Sequence, residues 1–153
     1  MDLASLIDQD VVKVPLEAYD KEEALAELVE VLVRAGKTAD RDGLLEALYI
    51  REIKGSTGIG GGVAIPHAKD AEVEGVVVAV GVSSEGVEFD AADGRPVHLV
   101  FLVVGGTNNP GPNVEVLADI SMLMRVPGVY EAMISASNAE EVIEAVQNVR
   151  VEQ

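Results

Sequence analysis

Two apolar runs set the limits on what this chain can fold into. Val76-Val77-Val78-Ala79-Val80 and Leu99-Val100-Phe101-Leu102-Val103-Val104 carry no polar residue at any position. A strand sends successive side chains to opposite faces, so a run that is apolar throughout needs cover on both sides. Each run is far shorter than the roughly 20 residues that cross a bilayer, so the cover must come from the rest of the protein. The flanking sequence has the period to supply it. Leu25, Leu28, Val29 and Leu32 recur at i, i+3, i+4 and i+7, the stripe of an amphipathic helix; Asp20 and Glu23 have capping-box spacing at its start, and Gly36 ends it. A second helix is predicted over residues 40 to 54, with Leu44, Leu45, Leu48 and Tyr49 on its buried side and Gly55 as its stop. The helical period returns after residue 112, first through Leu117 and Met122, then from Val129 to Ile134, and last in a helix capped by Ser137 with Glu140 three residues on.

Strands are predicted over residues 74 to 82 and 98 to 104, with Val63-Ala64-Ile65 as a short strand and Val87-Glu88-Phe89 as a small edge strand before the Asp93-Gly94 turn. Helices before, strands between and helices after predict one α/β domain over residues 1–153, a three-layer α/β/α sandwich with a mixed β-sheet flanked by helices. Residues 105 to 113 form the one long turn-rich loop, and by its place after a central strand it is expected to border a site.

Charge narrows the function. Asp and Glu number 27 against 11 Lys and Arg, a formal net charge of -16. Nucleic acids and anionic membranes attract basic surfaces, so neither is expected as a partner. Such an excess repels itself in dilute buffer and is screened in concentrated salt, which fits a chain adapted to a high-salt cytoplasm such as that of a salt-loving archaeon; the alternative reading is an ordinary acidic bacterial protein. With no cysteine there is neither a disulfide framework nor a thiolate metal site. The sequence from Met1 lacks a basic region followed by an apolar signal core, and no long apolar run predicts a membrane insertion, so a cytoplasmic protein is expected.

The chemistry concentrates in Gly55-Ser56-Thr57-Gly58-Ile59-Gly60-Gly61-Gly62-Val63-Ala64-Ile65-Pro66-His67. Glycines let backbone amides approach an anion, Ser56 and Thr57 offer hydroxyl donors, and an imidazole is a nucleophile that can carry a phosphoryl group. Arg51 falls in the last turn before this loop, on the helix face of Leu44, Ala47 and Leu48, from which it can reach the loop; a cation there also complements the helix dipole. Competing readings fit less well. No Gly-Lys-Ser/Thr follows the glycines, as a Walker loop requires, and a dinucleotide fingerprint needs a strand before and a helix after, the reverse of the order here. Zinc binding is not expected with two distant histidines and no cysteine, and the Gly-x-Ser-x-Gly of a hydrolase elbow is absent. Transient phosphorylation of His67 accounts for the whole segment, with Ser56, Thr57 and the amides of Gly58 and Gly60 as expected phosphate contacts. His98 is read as an ordinary strand residue.

Arg51-Glu52, Gly55-Ser56-Thr57-Gly58-Ile59-Gly60 and Ala64-Ile65-Pro66-His67-Ala68-Lys69 together resemble the active-site signature of the fructose/mannitol-type enzyme IIA domain of the sugar phosphotransferase system. Gly86-Val87-Glu88-Phe89-Asp90, Asp93-Gly94-Arg95-Pro96-Val97 and the closing Glu140-Glu141-Val142 extend the resemblance over essentially the whole chain. It implies a cytoplasmic phosphocarrier that needs no metal or other cofactor. The acceptor is expected to be His67, supported by Arg51, with phosphorylated HPr as donor and a cysteine of an enzyme IIB domain as recipient during sugar uptake. The middle section and Pro66-His67-Ala68-Lys69 look fructose-like. Nitrogen-type members of the family are instead regulatory, binding targets according to phosphorylation of the equivalent histidine. One departure stands out: Asn113 occupies the place of a second histidine, and it cannot become cationic near neutral pH.

Overall fold

The structure, a computed structural model, describes residues 3–151, with the side chains of residues 150 and 151 excepted. In chain order its elements are α1 (Leu3–Leu6), a single 3-10 turn (Gln9–Val11), β1 (Val12–Lys13), α2 (Lys21–Arg34), α3 (Arg41–Ile53), β2 (Gly58–Gly60), β3 (Val63–Ala64), β4 (His67–Lys69), β5 (Val76–Val87), β6 (Val97–Gly105), α4 (Gly111–Leu123), α5 (Val129–Ile134) and α6 (Ala139–Val151). The strands form one six-stranded mixed sheet in the order β1-β5-β6-β3-β2, with β4 also paired to β6. Antiparallel β5 and β6 make its centre, while β1 runs parallel to β5 and both β3 and β4 run parallel to β6.

The apolar runs behave as their lack of polar residues requires. Val76, Val78, Val80 and Val82 with Leu99, Phe101 and Val103 pack on one side against Val116 and Ile120 of α4, Met133 of α5 and Val142 of α6. Ala79, Val100, Leu102 and Val104 pack on the other against Leu25, Leu28 and Leu32 of α2 and Leu44 and Leu48 of α3. This is the expected three-layer sandwich with helices on both faces. Full burial of each such leucine removes apolar surface worth about 1.5–3 kcal/mol, so Leu44 and Leu48 fix α3 firmly against the sheet. Among the described residues no helix is long and apolar enough to cross a membrane.

Several boundaries differ from the sequence expectation. The strand predicted to stop at Ile65 resumes at His67: β3 pairs Val63 with Leu99, β4 pairs His67 with Val103, and the register is unchanged across Pro66. Pro66 has no amide to donate, but its carbonyl accepts from Val103 N at 2.9 Å, so the proline interrupts the strand without shifting it. Val87 does not begin a separate edge strand. It ends β5, which continues through an irregularity between Val82 and Val87, and Glu88 makes only an isolated bridge with Asp20. The last helix is capped by Asn138 rather than Ser137, for the Asn138 side-chain oxygen accepts from Glu141 N at 2.9 Å while Glu141 accepts from Ser137 N. At the start of α2 Asp20 accepts from Glu23 N at 2.9 Å, as the spacing predicts, while the Glu23 carboxylate accepts from Tyr19 N at 3.0 Å.

Candidate functional site

His67 opens β4, where its ring is half-buried. Its Nδ1 lies 2.8 Å from the carbonyl oxygen of Ile65. A carbonyl can only accept, so Nδ1 carries the proton and Nε2 carries the lone pair. Arg51 meets that lone pair: its Nε stands 3.4 Å from His67 Nε2, a long hydrogen bond, while Nη1 donates to Gly55 O at 2.9 Å. The guanidinium is therefore forked between the imidazole and the first residue of the glycine loop. The position follows from α3, whose buried Leu44 and Leu48 hold the helix down and leave Arg51 in its last turn, facing β4.

The glycine loop is a hairpin. β2 and β3 pair antiparallel, Gly58 with Ala64 and Gly60 with Val63, and Ile65 N donates to Thr57 O at 3.0 Å. The Ser56 and Thr57 hydroxyls and the Thr57, Gly58 and Gly61 amides have partners inside the protein. Thr57 Oγ1 donates to Glu52 at 2.6 Å and Thr57 N to the same carboxylate at 3.1 Å. Ser56 Oγ donates to Phe89 O at 2.7 Å and accepts from Gly58 N at 3.0 Å. Gly58 lies so close to Ala91 that a Cβ there would come within 2.9 Å of the Ala91 backbone, and Gly60, at φ +94°, turns the chain beside Asp93. Asp93 then accepts from Gly61 N at 2.9 Å and from Arg95 N at 3.1 Å, and the Gly61 bond is the main reason its carboxyl is held below the usual aspartate range. Ser56, Thr57, Gly58 and Gly60 thus build the loop. A turn-forming hydroxyl and a ligand-binding one have the same sequence appearance.

Two residues absent from the sequence expectation complete the construction. Glu52 is buried beneath the loop and is met by Lys21 of α2, whose Nζ lies 3.3 Å from Oε1; Lys21 also reaches Asp90 at 3.5 Å and sits over the Phe89 ring, 5.4 Å from its centroid. Glu52 was visible in the Arg51-Glu52 pair, but nothing in the local pattern announced that Lys21 would cross from another helix to meet it.

Asn113 lies in the first turn of α4, buried to 8% exposure, against Gly105. A Cβ on Gly105 would fall 2.9 Å from Asn113 Cβ, so the glycine is what admits the helix start to the sheet. Gly105 pairs with Lys69, two residues along β4 and on the same strand face as His67. The long loop therefore borders β4, as its position suggested. Asn113 Oδ1 is buried without a hydrogen-bond partner. His98 lies on β6 with its Nδ1 2.8 Å from Ser83 O, a satisfied strand residue. Lys54 and Lys69 are exposed.

Known proteins resemble this chain along nearly its whole length. The sequence model of the phosphoenolpyruvate-dependent sugar phosphotransferase system, EIIA 2, matches residues 5–149. The fructose-specific EIIABC component of Bacillus subtilis is 35% identical over 95% of this chain, which spans only 23% of that protein's length. The fructose-specific EIIA component of Haloferax volcanii is 31% identical over 92% of both chains. Among solved structures, the nitrogen regulatory protein IIA-Ntr of Neisseria meningitidis superposes with a TM-score of 0.85 and 31% identity, covering 94% of this chain and 98% of its own. The chain belongs to the type 2 enzyme IIA family of the phosphoenolpyruvate-dependent sugar phosphotransferase system.

Proposed function

We propose that His67 is a phosphoryl carrier that takes its phosphoryl group from the phosphorylated histidine of HPr and passes it to the cysteine of an enzyme IIB domain, on the cytoplasmic side, during uptake of a sugar, with fructose favoured. The observation that carries this reading is the fixed tautomer: Ile65 O holds the proton on Nδ1, so the Nε2 lone pair is the one free to attack. As the new Nε2–P bond forms, the N–P bond of the donor breaks and its electron pair stays on the donor nitrogen. The proton remains on Nδ1, where Ile65 O stabilises the positive charge that spreads over the ring. Arg51 donates to Nε2 in the resting site, so it must release the lone pair and offer the same N–H to a phosphoryl oxygen. Its second anchor, Gly55 O, allows that exchange to be a small rotation rather than a departure. No metal is needed for these steps.

The test is incubation with phosphorylated HPr, followed by intact mass and by acid lability of the adduct. One acid-labile, base-stable phosphate is expected on the wild type and none on His67→Ala. An unlabelled wild type, or a variant that still takes the label, would overturn the proposal.

A second reading, a nitrogen-type regulatory phosphoprotein that binds targets according to the state of His67, is favoured by Asn113. A side chain that cannot become cationic offers less assistance to transfer and is compatible with a longer-lived phosphoprotein. Adding a cognate IIB domain separates the two. Rapid chase of the label into IIB supports relay; a phosphoprotein that yields none supports regulation.

A further inference from the structure

We propose that Glu52, clamped by Lys21, is a positioning residue for His67 that acts through the glycine loop and Arg51; this rests on the phosphocarrier reading above and goes beyond it. Glu52 is buried at 8% exposure, one residue after Arg51. Its carboxylate receives three groups from two other parts of the chain: Thr57 N at 3.1 Å, Thr57 Oγ1 at 2.6 Å and Lys21 Nζ at 3.3 Å. The turn between Glu52 and Thr57 is thereby closed at both ends, and Gly55 O lies inside it. Gly55 O is the anchor of Arg51 Nη1, so the position of the guanidinium, and with it the Nε to Nε2 contact, depends on a loop held from below.

The same loop is also held by Ser56 to Phe89 O, by Ala92 N to Gly58 O and by Gly61 N to Asp93. Lys21 joins the two sets of contacts, because it meets both Glu52 and Asp90 and covers Phe89. Its own position is secured at the first turn of α2, whose start Asp20 caps. A buried ion pair is a weak source of net stability, since desolvation offsets most of the attraction. What this one supplies is geometry. An acceptor with two fixed oxygens sets the Thr57 backbone and hydroxyl together, and a lysine that is 11% exposed holds that acceptor in its orientation.

Glu52→Gln, Thr57→Val and the double variant Lys21→Met with Glu52→Gln test the clamp, with Thr57→Ser as the conservative control that keeps the hydroxyl. Folding of each is checked by circular dichroism. Single-turnover transfer from phosphorylated HPr should slow about 10–100-fold in the first three, the scale expected when a reacting geometry is misplaced by about an ångström. The donor concentration giving half-maximal rate should stay unchanged, and Thr57→Ser should stay close to wild type. A second readout needs no phosphate: the Arg51 Nε–H nitrogen-15 cross-peak, assigned by its loss in Arg51→Lys, should be slowly exchanging in the wild type and exchange-broadened in the three clamp variants. Folded variants with wild-type transfer rates and an unaltered Arg51 signal would overturn the proposal. So would a loss of rate that comes entirely from weaker donor binding. If the wild type accepts no phosphate, the phosphocarrier reading fails on that result, while the Arg51 signal still decides whether the clamp holds the guanidinium. Should Glu52→Gln not fold, Thr57→Val and the charge-neutral double variant carry the test.

Discussion

At the scale of single residues, the site is a question of where lone pairs and protons are held. Ile65 O fixes the His67 proton on Nδ1, and Arg51 waits at Nε2. Asn113 departs from that matching of donors and acceptors, since its buried Oδ1 accepts from nothing. A buried acceptor left unpaired costs about 1–3 kcal/mol. An imidazole at the same place would become cationic as the pH falls through its ordinary range near 6.5 and could then stabilise charge on the phosphoryl group. Asn113→His is therefore expected to raise the transfer rate by about tenfold or more at pH 6 and by less at pH 8, where the wild type has no matching pH limb from this position. Rapid-quench transfer from phosphorylated HPr at the two pH values measures it. A variant with the wild-type rate at both would show that a cation at position 113 does not assist.

At the scale of elements, the glycine hairpin and the loop after β5 form one body. Asp93 ties the turn at Gly61 and Gly62 to that loop, and its carboxyl is held below the usual aspartate range chiefly by the Gly61 N–H, then by Arg95 N–H. A carboxyl whose folded value is depressed adds stability above its unfolded value, near 3.9, and loses it as pH falls through the lower folded value. The Gly61 amide resonance should thus move with a midpoint below about 3.9 in an NMR titration, and the hairpin should loosen only beneath it. A midpoint at or above the ordinary aspartate value would contradict the bond. The layers were legible in the sequence because a run apolar at every position and a stripe at helical spacing each have one way to be buried. Short elements were not. β1 exists through pairing with the distant β5 and β2 through its hairpin with β3, and two or three residues carry no period of their own. Pro66 concealed β4 for a different reason: proline argues against a strand only where its amide is needed, and here β6 uses its carbonyl. In the site, the approach of Arg51 to His67 is legible from residue type and spacing. Lys21 was not, because its partnership with Glu52 is made by the packing of α2 on α3, which no local pattern encodes.

At the scale of the whole molecule, an excess of surface charge of one sign acts against the fold. A net charge of -16 sits on a chain of 153 residues. Ion pairs engage some of the carboxylates: Lys13 meets Glu17 and Glu27, Lys21 meets Glu52 and Asp90, and Arg34 and Arg41 share Glu30. Folding brings the acidic excess closer together than it is in the expanded chain, so its repulsion opposes the native state. Salt shortens the Debye length from about 10 Å at 0.1 M to about 3 Å at 1 M, which screens neighbours on the surface but leaves the buried Lys21–Glu52 pair largely untouched. The melting temperature is accordingly expected to rise between dilute buffer and molar KCl, by about 2–4 °C for each kcal/mol of repulsion removed. The shape of the rise distinguishes causes. Screening of acidic repulsion is mostly complete by the time the Debye length falls below the spacing of surface carboxylates, whereas strengthened apolar burial by excluded salts keeps growing with concentration. Differential scanning calorimetry across a KCl series, with sucrose as an uncharged control, reads both. A steep rise that levels off in KCl and is not reproduced by sucrose marks a fold adapted to concentrated salt. A melting temperature that stays flat or falls would show that the carboxylate excess does not oppose folding in dilute buffer, and would remove the reason to assign this chain to a high-salt cytoplasm.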